Sequence, residues 1–556
     1  MTDMRYETAE PTSDRAADFS LSGLLAAVAR AIPDRPAVIA GRRRVSFGAL
    51  DARATALARY LCRAGVTDGA RVAIVAFNRA EWLEAAFGAW RAGAVPVNVN
   101  YRYVPAEMEQ VLRDSGAVAV IAEHGLTSGI ARVRANLPAL EHVLLLNDGT
   151  GAARLRGIDF ADALAQGERS GHELPVTSGE NRYLLYTGGT TGAPKGVIWR
   201  QVDLFRAALE RRGPKTARIT TPSELGQRAR DSAGGRMLVL GPLMHAAGQW
   251  NALSMLFSGM TVVLNTDRTF EAHRVLDLID REAVTTVQCV GDVMARPLAE
   301  ALLAQPHRCA SMRGLTSGGT PLTPPVRELW RSVRPGITIK DSYGGSETGV
   351  CGAATAPTSD GADRRFTMGT SVAVLDERLR ALPPGSPEVG RIARTGHIPL
   401  GYHNDPAMTA ATFPTDETGR RWVISGDYGT VAEDGSITLL GRGSSVINTG
   451  GEKVYAEEVE STLKSHPAIE DAIVVSAPDE RLGQSVAAVV SLERGRRFSE
   501  RWLREFCRQR LAGFKVPRRI HVVDEVKRTT VGKQDYRWAS SVVREPAPLL
   551  ETAGKG

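Results

Sequence analysis

The sequence predicts an α/β protein with a large, multi-lobed N-terminal region of βαβ units and parallel sheets, followed by a small α+β C-terminal domain. Three observations support this prediction. The chain has 556 residues, which is too many for one hydrophobic core. Helical and extended patterns alternate along most of its length, as they do in proteins with parallel sheets. After Leu440 the pattern changes to a short set of helices and strands.

The alternation is clearest near the N-terminus. Apolar residues at helical spacing over Ser46–Gly65 predict an amphipathic helix that ends at a glycine, and Arg71–Ala76 predicts a short buried strand. The order then repeats as βαβαβ, the pattern of a sheet covered on both faces. The further predicted elements are a helix over Arg79–Gly93, a strand at Val95–Val99, a helix from Ala106, a strand at Val118–Ala122, and later a helix over Ala272–Arg281 before a strand at Thr285–Val290.

Two polar stretches interrupt this pattern. Arg211–Gly235 is rich in charged residues and predicts an excursion from the core, and a Pro- and Gly-rich turn region follows Leu375. We expect one domain at residues 1–441 and a second at 442–556. In the second domain we expect helices over Tyr455–Ser465 and Ser499–Leu511 and strands at Ile469–Ser476, Ser485–Leu492 and Arg519–Val526.

The composition excludes several classes of protein. Hydrophobic residues make up 43% and charged residues 24%, which is typical of globular proteins and excludes disordered or fibrous chains. No apolar stretch is long enough to span a bilayer, and the polar N-terminus lacks a signal-peptide pattern, so a cytoplasmic location is expected. The net charge of +7 is spread along the chain, which favours small anions over nucleic acid as partners. The five cysteines are scattered without a CxxC pair, as in a reducing compartment, and do not indicate a metal site.

The strongest local feature is YTGGTTGAPKG, residues Tyr186–Gly196. Glycines let backbone amides converge on an anion, threonines add hydroxyl donors and Lys195 adds a positive charge. A Walker A loop would need GxxxxGK[ST], but Pro194 stands where its second glycine belongs and Gly196 follows the lysine. A GxGxxG spacing does not occur, and a simple flexible hairpin would not explain the lysine and hydroxyls. We therefore interpret the segment as a phosphate-binding loop.

This loop resembles that of the adenylate-forming superfamily, which includes acyl-CoA synthetases, peptide-synthetase adenylation domains and luciferases. Seven further motifs follow in the order that the superfamily has them, so the resemblance extends from about Ser20 to Arg537. They are PLMHAAG (242–248), SGGTPL (317–322), DSYGGSETG (341–349), GYHNDPAMT (401–409), SGDYG (425–429), GRGSSVINTGGEKVYAEEVE (441–460) and VGKQDY (531–536).

The resemblance implies two half-reactions, with ATP, Mg²⁺ and CoA as cofactors. A carboxylate attacks the α-phosphate of ATP and releases pyrophosphate, and a thiol then displaces AMP from the acyl-adenylate. Tyr343 is implied to lie against the adenine, Asp341 near its amino group, and Asp427 with Arg442 at the ribose, while Glu347 and Thr191 are the implied metal ligands. The other implied nucleotide-binding residues are Thr187, Gly188, Gly189, Thr190, Gly192, Lys195, Ser317, Gly318, Gly319, Thr320, Ser342, Gly344 and Ser346.

Lys533 is the implied catalytic lysine, which holds the substrate carboxylate and the α-phosphate for in-line attack. Thr191, Glu347 and His245 complete the implied catalytic set. For the second half-reaction the resemblance implies that the small domain rotates about a hinge near 442–444 and presents Gly450, Gly451 and Lys453 to CoA. Two positions depart from the common pattern. Ser444 stands at the hinge where many relatives have Asp or Lys, and Gly188 stands where Ser is common.

His245 is also implied to lie at the mouth of the acyl pocket. The expected pocket wall is apolar or small and contains no Asp or Lys, which favours an apolar acid, and the motifs most resemble actinobacterial fatty-acid and steroid side-chain CoA ligases. The alternatives are an aryl-CoA ligase, an acyl-AMP ligase that loads a separate carrier protein (no carrier domain is expected after Lys533), and a non-catalytic nucleotide-binding protein. A homo-oligomer is a further expectation. The expected wall residues are Trp250, Met255, Val290, Gly291, Gly318, Gly344 and Gly345.

Overall fold

The structure is a computed structural model that describes residues 19–151, 153–188, 194–211, 217–319, 322, 324–354, 365–442, 446–464, 466–496, 499–527 and 535–544. The described residues form two compact units. The first contains residues 19–101, 108–187 and 195–441. The second contains residues 102–107, the strand ends at 188 and 194, and the described residues from 442 onward.

Helices and strands alternate along the chain up to residue 442. The helices are α1 (Leu21–Ala31), α2 (Phe47–Arg63), α3 (Ala80–Arg91), α4 (Pro105–Ser115), α5 (Thr127–Val133), α6 (Phe160–Glu168), α7 (Gln201–Leu204, continued by a π-helical turn at Phe205–Leu209), α8 (Pro222–Asp231), α9 (Ala246–Phe257), α10 (Ala272–Arg281), α11 (Asp292–Ala304), α12 (Pro324–Val333) and α13 (Pro406–Thr412). The strands are β1 (Pro36–Ala40), β2 (Arg43–Ser46), β3 (Arg71–Val75), β4 (Val95–Asn98), β5 (Ala117–Glu123), β6 (His142–Leu146), β7 (Ile158–Asp159), β8 (Arg182–Gly188), β9 (Pro194–Arg200), β10 (Arg236–Val239), β11 (Thr261–Leu264), β12 (Thr286–Cys289), β13 (Gly314–Gly318), β14 (Thr338–Gly345), β15 (Gly349–Ala354), β16 (Arg365–Met368), β17 (Val372–Leu375), β18 (Gly390–Thr395), β19 (Gly401–Tyr402), β20 (Trp422–Val431) and β21 (Ile437–Arg442).

These strands form two large sheets. One has the order β19-β9-β8-β4-β3-β5-β6-β7, and the other has the order β17-β18-β20-β21-β16-β15-β14-β13-β12-β10-β11-β1-β2. The strands β3, β4, β5 and β6 are parallel, so the predicted βαβαβ unit is confirmed. Ser46 caps α2 by accepting a hydrogen bond from the amide of Ala49 at 3.2 Å, which explains why the helix begins there.

The strands β12, β13 and β14 are parallel neighbours in the larger sheet, and β15 returns antiparallel to β14. Parallel strands bring their carboxyl ends to one edge, where α/β proteins bind ligands. The motifs at residues 317–319 and 341–347 follow or end these strands. The sheet topology therefore places two motifs that are distant in sequence at one edge.

The predicted excursion at Arg211–Gly235 is wrong for part of its length, because α8 lies inside it. Thr221 accepts a hydrogen bond from the amide of Glu224 at 3.2 Å, and Glu224 accepts one from the amide of Thr220 at 2.7 Å. This arrangement resembles a capping box, except that Glu224 accepts from the residue before the N-cap and not from the N-cap itself. Leu225 is buried, so the helix packs despite its high charge.

The second unit is an α+β fold, as predicted. Its sheet has the order β23-β22-β25-β24, with β26 parallel to β25. The short hairpin of β22 and β23 and the last helix were not predicted. The elements are β22 (Val446–Thr449), β23 (Glu452–Tyr455), α14 (Ala456–Lys464), β24 (Ile469–Asp479), β25 (Gly483–Leu492), α15 (Glu500–Arg508), β26 (Arg519–Val523) and α16 (Tyr536–Arg544).

No helix within the described ranges combines the length and the apolar character that a bilayer span requires.

Candidate active site

The segments that follow β12 and β13 are joined by a side-chain hydrogen bond. Ser317, in β13, is buried, and its Oγ accepts a hydrogen bond from the amide of Gly291 at 3.0 Å. Gly291 and Gly319 have φ of 60° and 90°, a region that disfavours residues with a Cβ. The predicted adenine wall at Ser317, Gly318 and Gly319 therefore lies beside Gly291, which the sequence assigned to the acyl pocket.

Tyr343 and Asp427 are brought together from positions 84 residues apart. The Tyr343 hydroxyl donates to Asp427 Oδ2 at 2.8 Å, and the Ser425 hydroxyl donates to the same oxygen at 3.2 Å. The Tyr343 ring packs against Phe366 with a centroid distance of 5.5 Å. Because these contacts fix both side chains, the aromatic ring and the carboxylate form a preorganised pair suited to a base and its sugar.

Asp341 is held by a partner that the sequence analysis did not identify. Arg327 of α12 donates to Asp341 Oδ2 at 2.7 Å, and the amide of Leu322 donates to the same oxygen at 3.4 Å. Burial raises the pKa of Asp341 to about 6, although the Arg327 charge and these hydrogen bonds lower it. The described contacts of this carboxylate connect β14 to the segment that precedes α12.

The turn that carries Ser346 and Glu347 is held from two sides. The Trp199 indole donates to the carbonyl of Ser346 at 3.0 Å, and the Tyr402 hydroxyl donates to Glu347 Oε1 at 3.1 Å. The ammonium of Lys195 lies 5.6 Å from the centre of the Tyr402 ring. Tyr402 thus contacts both the lysine of the phosphate loop and the carboxylate proposed for the metal, although the sequence analysis gave it no role.

Backbone geometry makes glycine necessary at the start of this turn. A Cβ on Gly344 would lie 2.1 Å from the carbonyl oxygen of Gly349, closer than any van der Waals contact. Arg394 secures the other side, since it donates to the carbonyls of Thr348 at 2.6 Å, Val350 at 2.9 Å and Ala207 at 3.2 Å. Ser342 precedes the turn on β14. The geometry of the YGGSETG motif therefore depends on an arginine outside it.

His245 lies at the N-terminus of α9 and is partly exposed. Asn98 positions the segment before it, since its amide nitrogen donates to the carbonyls of Met244 at 2.7 Å and of Tyr186 at 2.9 Å. Tyr186 is the first residue of the phosphate loop. Asn98 therefore connects the loop that carries His245 with the phosphate loop.

The remaining described residues lie at strand ends and in one turn. Thr187 and Gly188 end β8, and Arg442 ends β21. In the second unit Gly450 and Gly451 connect β22 to β23 with φ of 56° and 86°, and Lys453 pairs with Asn448 in that hairpin.

The comparisons with known proteins identify the family. Residues 25–402 match the AMP-binding enzyme family, and residues 458–533 match the AMP-binding enzyme C-terminal domain. The chain belongs to the AMP-binding enzyme family.

This AMP-binding enzyme has relatives of nearly the same length. It is 38% identical over 537 residues to a 3-oxocholest-4-en-26-oate–CoA ligase of Rhodococcus rhodochrous, covering 94% of this chain and 96% of the relative. It is 40% identical over 515 residues to a medium/long-chain-fatty-acid–CoA/3-oxocholest-4-en-26-oate–CoA ligase of Mycobacterium tuberculosis H37Rv, covering 92% and 93%. Among solved structures, the amide bond synthetase McbA of Marinactinospora thermotolerans is similar with a TM-score of 0.75 and 26% identity, covering 93% of this chain and 99% of that one.

These findings confirm the predicted family, its fold and its enzyme class, an AMP-forming acid–thiol ligase. Several predicted site residues of this AMP-binding enzyme lie outside the described residues, and their roles stay predictions. They are Gly189, Thr190, Thr191, Gly192, Thr320, Lys533 and the hinge residue Ser444.

Proposed function

We propose that this enzyme is an ATP-dependent acyl-CoA ligase that converts a fatty or steroid side-chain acid to its CoA thioester through an acyl-adenylate. The observation that carries the proposal is the arrangement of Tyr343 with Asp427 and of Glu347 with Tyr402 at the end of β14. The chain is similar to two CoA ligases along more than 90% of its length, and this similarity supports CoA as the acceptor of the acyl group.

On the nucleotide side, the Tyr343 ring stacks on the adenine, with Ser317–Gly319 as the opposite wall. The Asp427 carboxylate accepts hydrogen bonds from the ribose hydroxyls, a role suited to an ionised group with two acceptor oxygens. Arg442 supports the same sugar. Asp341 acts as a positioning residue in this proposal, because Arg327 already occupies one of its oxygens.

The described residues of the site are suited to Mg²⁺, with Glu347 as the one protein carboxylate. Mg²⁺ is usually held by one or two carboxylates together with substrate phosphates and water, and no group of three candidate ligands occurs among the residues that the structure describes. Glu347, with Thr191, would hold the ion, and the ion would neutralise charge on the phosphates. Tyr402 orients Glu347 through their 3.1 Å hydrogen bond.

For the chemical steps, we assign Lys533 to hold the substrate carboxylate against the α-phosphate in the first half-reaction. Lys195 and the phosphate loop stabilise the charge that develops on the departing pyrophosphate. Residues 1–441 and 442–556 act as separate domains with a hinge at 442–444, and Gly450, Gly451 and Lys453 serve the CoA half-reaction. His245 lies where the acid and the thiol meet.

The acid is apolar where it contacts Trp250 and Met255, which are both buried. The Trp250 indole N–H donates to the Tyr183 hydroxyl at 2.8 Å. Because this N–H already has a partner, Trp250 presents only its apolar ring surface to an acid. Fatty and steroid side-chain acids meet that condition.

A pyrophosphate-release assay across fatty, aromatic and steroidal acids, with and without CoA, tests the proposal. We expect CoA-dependent turnover and a CoA thioester for fatty or steroidal acids. Turnover only with aromatic acids would favour the aryl-CoA ligase. Pyrophosphate release without thioester would favour transfer to a carrier protein, and no release with any acid would contradict the proposal.

A further inference from the structure

The wall of the expected acyl pocket contains two cations that the sequence analysis did not assign to it. Arg211 follows the π-helical turn at Phe205–Leu209, and its Nη1 lies 3.0 Å from Met255 Sδ and 3.8 Å from Met260 Sδ. Met255 is one of the expected wall residues. A charged guanidinium therefore touches a wall that was expected to be wholly apolar.

Lys340, on β14 of the larger sheet, is close enough to Arg211 for the Arg211 charge to lower its pKa. Strand pairing aligns Gln288, Thr316 and Lys340 in one row across β12, β13 and β14. Side chains two residues apart share a face of a strand, so Lys340 lies on the face that carries Ser342 and the expected wall residue Gly344. Gln288 fixes the orientation of this face, because its side-chain oxygen accepts a hydrogen bond from the amide of Gly241 at 3.0 Å, just before the His245 loop.

Along β14, Lys340 lies on the amino-terminal side of all the residues assigned to the nucleotide. At a rise of roughly 3.3 Å per residue, Lys340 is about 13 Å from Gly344 in the direction of the amino end of β14. Asp341 and Ser342, which are assigned to the nucleotide, directly follow Lys340, and the turn with Ser346 and Glu347 lies beyond the carboxyl end of the strand. Lys340 therefore lies at the end of this face that is remote from the turn assigned to the phosphates and the metal.

Both cations are accessible to solvent although protein surrounds them. Arg211 and Lys340 are exposed, whereas Ile339 and Asp341 on either side of Lys340 are buried. The Lys340 side chain therefore reaches solvent from the face of β14 opposite to that of Ile339 and Asp341. Surrounding protein atoms lower the pKa of both groups by desolvation, and the Arg211 charge lowers the pKa of Lys340 further.

The partners of these cations are weak. Within the described residues, neither Arg211 nor Lys340 is paired with a carboxylate, and the acceptors that the structure records for Arg211 are the two thioether sulfurs. A guanidinium has five donors and thioether sulfur is a weak acceptor. A ligand oxygen would supply the missing acceptor.

We propose that Arg211 and Lys340 form the far end of the acyl pocket and bind an oxygen substituent that the acid carries at the end remote from its reacting carboxylate. The inference rests on the proposed function and narrows it to acids with an apolar body and a distal keto, hydroxyl or carboxylate oxygen. A site built to hydrogen-bond such an oxygen rejects analogues that lack it, because its polar groups are then left unpaired.

The test compares kcat/KM for matched pairs of acids. The pairs are a 3-oxo steroid side-chain acid with its counterpart lacking the 3-oxo group, and straight-chain acids of graded length with their terminal hydroxy and terminal carboxy derivatives. We expect wild-type enzyme to prefer the oxygenated member of at least one pair, and the pair shows which oxygen is recognised. In Arg211→Met and in Lys340→Met this preference should fall by about tenfold or more.

Arg274→Met is the matched control, because Arg274 is an exposed arginine on α10 that pairs with Glu271, and its preference should equal that of wild type. The ratio of two kcat/KM values measured on one preparation does not depend on the fraction of active enzyme, so partial misfolding does not mimic the effect. Arg211→Lys is a further variant, which keeps the positive charge. A wild-type preference at or below one for every pair, or ratios unchanged in both Met variants, would overturn the inference. Absence of any CoA thioester would instead overturn the proposed function.

Discussion

Two arginines on either side of the π-helical turn at Phe205–Leu209 have opposite environments. Arg394 is buried, at 6% exposure, and donates to three backbone carbonyls, whereas Arg211 is exposed and contacts two methionine sulfurs. Burial lowers the pKa of both guanidinium groups. A cation whose Nη1 donates to three carbonyls fixes the backbone, while one that faces weak acceptors remains available to a ligand.

The same contrast separates the two sides of the candidate site. On the nucleotide side, Tyr343, Asp427 and Glu347 are held by hydrogen bonds to other residues before any ligand arrives. On the acyl side, Arg211 and Lys340 have no described carboxylate partner. We therefore expect changes on the nucleotide side to affect all acids alike, and changes on the acyl side to affect the choice of acid.

The largest effect is expected for Lys533→Ala. Loss of the group that aligns the carboxylate and the α-phosphate should slow adenylation by about a thousandfold or more, whichever acid is used. Thioester formation from supplied acyl-AMP and CoA should be largely retained. Single-turnover measurements of each half-reaction check this, and equal losses in both would refute the assignment of Lys533.

The next largest effect is expected for Arg394→Met, which leaves the carbonyls of Ala207, Thr348 and Val350 without this donor. Buried carbonyls without partners destabilise the fold, so the free energy of unfolding should fall by about 3 kcal/mol. Denaturant titration of this variant beside the exposed-site control Arg274→Met measures the difference. Equal stability of the two variants would show that Arg394 does not hold the turn.

A smaller effect is expected for Asp427→Asn, which weakens acceptance from the ribose hydroxyls and from Tyr343. KM for ATP should rise by about tenfold, because one hydrogen bond to a charged group contributes roughly 1.5–3 kcal/mol, and relative kcat/KM among acids should not change. Glu433→Gln, an exposed change in the turn after the same strand, serves as the control. A shift in acid preference without a change in KM for ATP would contradict the separation of the two sides.

A separate effect, on stability alone, concerns pH. Burial raises the pKa of Asp341 from 3.8 to about 6, so the folded protein binds this proton more tightly than the unfolded chain. Stability is therefore lost as pH rises from about 4 to about 6, by roughly 3 kcal/mol at most, and Asp341→Asn should abolish this component.

For Asp376 the pH dependence of stability has the opposite sign, so this residue serves as a comparison. Hydrogen bonds from Arg380 contribute most to lowering its pKa, so the stability it contributes is lost as pH falls. Denaturation midpoints of wild type and the two Asn variants between about pH 2 and pH 7 measure both directions, because the Asp376 component is lost below pH 3.8 and the Asp341 component above it. A wild-type curve parallel to that of Asp341→Asn would show that the buried carboxylate does not titrate in this range.

Residues within short motifs were predictable from the sequence, because the chain itself brings them close to each other. The topology of parallel strands then places Ser317 and Tyr343 at one edge. Partners from distant segments were not predictable. Arg327, Tyr402 and Arg394 lie outside the predicted site residues, and no local pattern marks an arginine as buried. The capping-box sequence pattern at Thr221–Glu224, in contrast, was a visible signal for α8 that the polar composition obscured.

The acyl side was least predictable. Lys340 has an ordinary position in a strand, and only the register that aligns it with Thr316 and Gln288 shows which face it occupies. Arg211 belongs to a polar stretch whose composition indicates a surface. Arg211 contacts Met255 of the expected pocket wall, which lies 44 residues further along the chain. No sequence pattern indicates that contact.

The most direct test is a product analysis by mass spectrometry after incubation with ATP, Mg²⁺, CoA and one accepted fatty or steroidal acid. We predict one CoA thioester for each AMP released, with no acyl-adenylate accumulating while CoA is in excess. Accumulation of acyl-adenylate without thioester, or transfer only to a phosphopantetheine-bearing carrier protein, would contradict the proposed acyl-CoA ligase.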